Sequence, residues 1–179
     1  MSAKRLELLK EATTKTSRVA VLWGSSRDDE DEIEQTEIAA RRLGVKIHPL
    51  PVQAPDEIAG AFAVMKRENA NALVIIQGLL TNFHIKQLAE LAAKNRLPSI
   101  GEPPDYAYNG GLISYGSNND DLWHRSASFV DKILKGRTPA DLPVEQPTKF
   151  ELVINVKTAK QIGLTIPPNV LARADRVIR

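Results

Sequence analysis

The sequence predicts a three-layer α/β domain on a doubly wound, mostly parallel sheet, followed by an extended carboxy-terminal tail. Short apolar, β-branched runs begin near Val19, Lys46, Leu73 and Ser99, at intervals of about 27 residues, the length of a strand plus a crossover helix. Between them, Ile33, Thr36, Ala40 and Leu43, then Ile58, Phe62 and Met65, then Ile85, Leu88, Leu91 and Ala92 recur at helical spacing. Strands alternating with helices imply a parallel sheet covered on both faces.

The elements follow in order. A leading helix over residues 3–12 places Leu6 and Leu9 on one side. The second crossover helix opens at Pro55 with Asp56 and Glu57 and closes on Lys66 and Arg67, the charge order that suits a helix dipole. Asn109-Gly110-Gly111 turns the chain into a short strand at 112–115. A further helix starts at Asn119 or Asp120, is expected to carry Leu122, Trp123, Ser126, Phe129, Val130 and Ile133 inward, and stops at Gly136. Pro139, Pro143 and Pro147 then mark an extended connector, followed by a strand at 150–155, a short helix to Ile162, a Pro167-Pro168 stop and a last helix carrying Val170, Leu171, Ala174 and Val177. The division is a lobe over residues 1–137 and a tail over 138–179.

Composition narrows the function classes. Twenty-four Lys and Arg against 22 Asp and Glu leave a formal charge of +2, too small a field to attract nucleic acid or a membrane surface. Cysteine is absent, which removes disulfides and thiolate chemistry. The amino terminus, MSAKRLELLKEA, lacks the apolar core of a signal peptide, and no apolar run approaches the ~20 residues of a membrane helix.

In open parallel sheets ligands meet the loops that leave the carboxyl ends of the strands. Here those loops are residues 24–27, 53–54, 77–82, 101–109 and 116–119, rich in Ser, Thr, Asn and Gln, with Trp23, Tyr106, Tyr108 and Tyr115 nearby. That mixture suits a small amphiphilic solute, although the same residues are ordinary turn formers. Chemistry finds less support. Trp23-Gly24-Ser25-Ser26 has one glycine where a dinucleotide fingerprint needs three, and five carboxylates from Asp28 to Glu32 occupy the helix start that a phosphate would use. Acidic residues there stabilise a helix by a few tenths to ~1 kcal/mol. His48, His84 and His124 are dispersed, with no pair spaced for zinc. Neither Gly24-Ser25 nor Gly116-Ser117 forms a nucleophile elbow, and Glu102 and Asp105 flank a Pro103-Pro104 turn more simply than they form an acid–base pair. The expectation is binding without turnover, with no catalytic residue, no metal and no cofactor. The alternative is a stand-alone flavodoxin-like enzyme or nucleotide-binding domain.

Several stretches together carry a family resemblance: KRLELLKEA (4–12), RVAVLW (18–23), GGLISYG (110–116), VDKILKG (130–136), PADLPVEQPTKFELVIN (139–155) and KTAKQIGLTIPPNVLARAD (157–175). The chain resembles the carboxy-terminal half of ABC transporter substrate-binding proteins, whose best-understood relatives bind aromatic amino acids. The resemblance implies one lobe of a periplasmic-binding-protein type I fold, closing with a first lobe on a small neutral or zwitterionic organic solute and presenting it to an ABC permease. Where the family commonly has Asn-Pro and Asp-Pro after the first and third strands, this chain has Gly24-Ser25 and Gly78-Leu79. Tyr115 and Gly116 transfer with the GGLISYG turn. Thr81, Asn82 and Asp105 join them by loop position, as do Trp23, Ser25 and Ser26. The location implied is periplasmic, or cytoplasmic if the chain is complete as written. Because family tails pack on a first lobe, Phe150, Leu152, Val153, Ile154, Val170, Leu171 and Val177 are expected to lack their partner, and a homodimer sharing residues 138–179 is expected to cover them.

Overall fold

The computed structural model describes residues 2–13, 15–24, 27–102 and 105–179, with residues 27–29 described by their backbone only. Seven strands form one sheet in the order β2-β1-β3-β4-β5-β6-β7. They are β1 (Arg18–Trp23), β2 (Lys46–Pro51), β3 (Ala72–Ile75), β4 (Ser99–Gly101), β5 (Ile113–Ser117), β6 (Phe150–Asn155) and β7 (Arg176–Ile178). The first five run parallel; β6 is antiparallel to β5, and β7 is parallel to β6.

Alternation along the buried strands builds two cores. Val19 and Val21 of β1, with Val74 and Ile100, face one side, where they meet α1 (Ser2–Ala12) and α2 (Arg27–Leu43). Ala20 and Leu22, with Leu73 and Ile75, face the other, against α3 (Glu57–Arg67), α5 (Ile85–Lys94) and Tyr106 of α6 (Asp105–Tyr108). The short α4 (Leu79–Phe83) precedes α5. Period-two side chains thus supply both faces of a three-layer sandwich, as a parallel sheet requires.

The tail corrects the sequence expectation. Instead of lacking a partner, β6 pairs with β5 from Ser117–Phe150 to Ile113–Ile154, and Leu152, Val153, Ile154 and Val170 are buried. Leu152, Ile154 and Val170 join the α1–α2 core, together with Ala159 of α8 (Val156–Gln161) and Ile166 ahead of α9 (Pro168–Leu171). The open edge of β5 offers unpaired backbone groups and an apolar face within the same chain, so the strand satisfies both at home. The argument for a strand shared between two copies falls with that pairing. Val177 lies in β7 and not in a last helix.

The second correction concerns α7 (Asn119–Leu134). It forms where expected, with the Asn118 side chain accepting from the Asp121 amide at 2.9 Å, but it buries none of its residues: Trp123 is 74% and Leu134 81% exposed. The helix carries the chain away from the carboxyl end of β5, and the connector returns it to the same end for β6. Arg125 holds the returning connector through Glu145 and Thr148 at 3.0 and 2.9 Å. Helix and connector form an arm on which Trp123, Val130, Ile133 and Leu134 stay exposed, while Leu122 and Phe129 are half-buried.

Candidate functional site

The carboxyl ends of the parallel strands bring the predicted loops to one edge, where two recesses open. The first, about 440 Å³, is lined by Gly24, Gln53, Gly78, Leu79, Phe83 and His84 among others, at the exits of β1, β2 and β3. The second, about 260 Å³, is polar and lies beyond β4 and β5, where Asp105, Tyr108, Asn118 and Asp120 meet Glu151 and Arg176 at the starts of β6 and β7. Arg176 Nε is 3.0 Å from Glu151.

Between the two recesses lies a buried ionic group. Arg5 of α1 is fully enclosed; its Nη1 is 3.1 Å from Glu102, just past β4, and its Nη2 is ion-paired with Glu32 of α2. None of its nitrogens makes an aligned hydrogen bond. Burial pulls the guanidinium below its ordinary arginine value, against the opposing charge of Glu102. The helix that enters the lobe is thereby pinned to the cleft edge from beneath.

Each predicted site residue has a definite place. Trp23 ends β1 half-buried, with its indole nitrogen enclosed and unpartnered. Thr81 is buried; its hydroxyl accepts from the Gly78 amide at 2.8 Å and donates to the Ile76 carbonyl at 2.9 Å, so it fixes the loop from inside. Asn82 is exposed on α4, and Asp105 is exposed at the polar recess. Tyr115 stacks on Phe150, with ring centroids 6.1 Å apart. Gly116 is buried, and a methyl group there would collide with the Glu102 carbonyl. Ser25 and Ser26 lie outside the described residues.

Of the aromatic residues near the loops, Tyr106 is not available to a solute. It is fully buried, and its phenol donates to the Ser99 hydroxyl at 2.6 Å. The sequence placed Gln53 and Leu79 in strand-exit loops without choosing them as site residues, and it passed over Phe83. The legible signal was the Leu79/Phe83 pair, four residues apart directly after a buried strand, the spacing that places two side chains on one helical face.

A doubly wound sheet with recesses at its carboxyl edge is the ligand-binding arrangement of open α/β folds, and its seven-stranded order superposes on one lobe of substrate-binding proteins of the type I periplasmic-binding fold. The family model for ABC transporter substrate binding proteins matches residues 1–178, and the chain belongs to that family. A structure of an ABC domain in complex with L-Trp from Streptococcus pneumonia superposes with a TM-score of 0.89 at 26% identity, covering 99% of this chain and 60% of that one. A conserved domain protein from Vibrio cholerae gives a TM-score of 0.90 at 24% identity, with 98% and 60% covered. A tyrosine-binding protein of Clostridioides difficile is 20% identical over 90% of this chain and 47% of its own length. The chain spans about half the length of the curated relatives it matches. No helix among the described residues is long and apolar enough to cross a membrane.

Proposed function

We propose that this chain is a solute-binding lobe of an ABC-type uptake system, holding a small neutral or zwitterionic organic solute, with amino acids first among the candidates, and leaving it chemically unchanged. The observation that carries the reading is the convergence of the strand-exit loops on an apolar recess and a polar one along the same edge. Asp105 lines the polar recess; Trp23, Asn82 and Tyr115, with Ser25 and Ser26, are the further contacts proposed from the strand-exit segments beside the recesses, and Thr81 and Gly116 shape the loops that carry them. Relatives named for L-Trp and tyrosine agree with this solute class.

The partners follow from the same reading. Type I lobes work in pairs, so a companion α/β lobe closes over the recesses and packs on the exposed stripe of α7, and the closed pair is presented to an ABC permease outside the cytoplasm. A lone lobe makes half the contacts of a closed cleft, and its affinity is correspondingly weak. A thermal-shift and NMR screen of amino acids and other small organic solutes tests the reading. Saturable shifts confined to the carboxyl-edge loops, with the solute recovered intact, support it; turnover of any solute, or no binding across the screen at millimolar concentrations, refutes it.

A further inference from the structure

We infer that the amino edge of the sheet, opposite the solute recesses, carries a second binding site, which takes a phosphate monoester borne on an apolar body. A recess of about 460 Å³ opens there between the carboxyl ends of α3 and α5, the helices that lead into β3 and β4. Its floor is apolar, built from the buried side chains of Phe62, Met65 and Leu97, and its rim carries Lys66, Lys94 and Arg96. Residues 62–70 and 94–97 are all described, and no carboxylate lines the recess among them. Glu68 is taken by Arg67 at 3.1 Å, whereas the three rim side chains have no ion-pair or hydrogen-bond partner among the described residues.

Cations at helix carboxyl ends ordinarily serve the exposed carbonyls. Here those carbonyls are already served. The amides of Asn69 and Ala70 donate to the Lys66 and Met65 carbonyls at 3.2 and 2.9 Å, and those of Arg96 and Leu97 donate to Ala93 and Ala92 at 3.0 and 2.9 Å. Asn95 Nδ2 adds a bond to the Leu91 carbonyl at 2.8 Å. The backbone at Arg96 is the second sign. It stands at φ 52°, in the left-handed region that costs a residue with a Cβ. After α2, α7 and α8 the chain passes through that region on Gly44, Gly136 and Gly163, and after α3 on Asn69, a type that tolerates it. After α5 it accepts the strain and holds out a guanidinium that no described residue uses. Charge sets the class of ligand: three cations, offset by about one unit from the two helix ends, leave about +2, which a phosphate monoester balances and a single carboxylate does not. The fork of Arg96 matches phosphate oxygens, and the apolar floor calls for a ring or hydrocarbon on the ester.

The test is a titration of phenyl phosphate into the chain and into Arg96→Gly, followed by amide chemical shifts, with thermal melts alongside. Saturable shifts should be confined to residues 62–70 and 94–97, leaving the strand-exit loops unmoved. Inorganic phosphate and benzyl alcohol, each carrying one half of the ligand, should bind at least about tenfold more weakly. Arg96→Gly should weaken phenyl phosphate by about tenfold or more while its melting temperature holds or rises by about 2–4 °C, because the left-handed strain is relieved. Sedimentation with vesicles of phosphatidylcholine containing phosphatidic acid separates two sources of the ester. Capture that phenyl phosphate competes away assigns it to a lipid headgroup, and phenyl phosphate binding without capture assigns it to a soluble organic phosphate. Unchanged affinity in Arg96→Gly, inorganic phosphate binding as tightly as phenyl phosphate, or no saturable shift at this edge would each overturn the inference. A lowered melting temperature of Arg96→Gly would overturn it too, by making Arg96 a structural cap. All of these outcomes leave the solute-binding reading, which concerns the opposite edge, where it stands.

Discussion

The Tyr106 phenol donates to the Ser99 hydroxyl at 2.6 Å inside the core, and two glycines exist to make room for its ring. A methyl group on Gly101 would come within 2.7 Å of Tyr106 Cγ, and one on Gly111 would overlap the ring edge. Three positions drawn from β4, α6 and the turn into β5 therefore form one packing unit beneath the cleft loops. Tyr106→Phe leaves the buried Ser99 hydroxyl without its donor and should lower stability by about 1–3 kcal/mol. Gly111→Ala should cost a similar amount, about 1–3 kcal/mol, through overpacking. Urea denaturation of the three proteins measures both.

Burial also pushes the Tyr106 phenol above its ordinary value of 10.0, with the Ser99 hydrogen bond opposing the shift. The folded state holds this proton more tightly than the unfolded chain. Its contribution to stability is complete below the unfolded value near 10 and is lost progressively as pH rises beyond it. Alkaline melts of the parent chain should fall more steeply above that pH than those of Tyr106→Phe; parallel curves would show that the phenol is not the group responsible.

Arg5→Ala should be among the most damaging single substitutions in the lobe, because it leaves Glu102 and Glu32 facing each other without their shared cation. Breaking a buried pair in this way costs about 3–5 kcal/mol. Glu32→Gln should cost less, since Glu102 still neutralises the guanidinium. Equal and small effects in denaturant titrations would mean that both carboxylates relax into water.

The returning connector is held to α7 by Lys149, whose ammonium is 2.5 Å from Asp121. That hydrogen bond, chiefly, holds the Asp121 carboxyl below the usual 3.8. A carboxylate with a lowered folded value contributes above its unfolded value, and the contribution disappears as pH falls through the folded one. The Asn118 amide, which donates to the Lys149 carbonyl at 3.0 Å, should therefore lose protection relative to its intrinsic exchange rate in that acid window, and Asp121→Asn should show the lower protection already at neutral pH.

The α7 stripe supplies a prediction of opposite sign. Trp123→Ser and Leu134→Ser remove large side chains that touch no core, so the melting temperature should hold. Self-association at high concentration, followed by light scattering, should fall. A lowered melting temperature would place these residues in a packed interface of the lobe itself.

Much of the fold was legible because parallel sheets write it plainly. The runs near Val19 and Leu73 are short, continuous and apolar, since both faces of such strands are buried, while the edge strand at Lys46 is partly exposed; the observed strands start at Arg18, Lys46, Ala72 and Ser99. The candidate edge was legible too, because a strand-exit loop must lie at a carboxyl end wherever the sheet is parallel. Which residues within those loops face outward was not. Thr81 and Leu79 are two positions apart, and only the backbone path after Ile76 decides that the polar one turns inward and the apolar one outward.

The sequence by itself determined most of the local elements, though it read Val177 of β7 as helical, and with them the three-layer arrangement and the family, since periodicity, caps and the long tail motif are properties of neighbours along the chain. Tertiary structure decided where the tail goes. Val153 and Ile154 read as a strand in need of a partner, but periodicity cannot name the partner, and β5 offered a free edge of matching length in the same chain. The same closure decided the fate of α7: its Trp123, Val130 and Ile133 stripe has helical spacing like that of α3 or α5, yet the connector draws the chain back to β6 without laying that face on the sheet. Amphipathic spacing specifies that a face seeks cover; only the path of the whole chain specifies whether the cover lies within it.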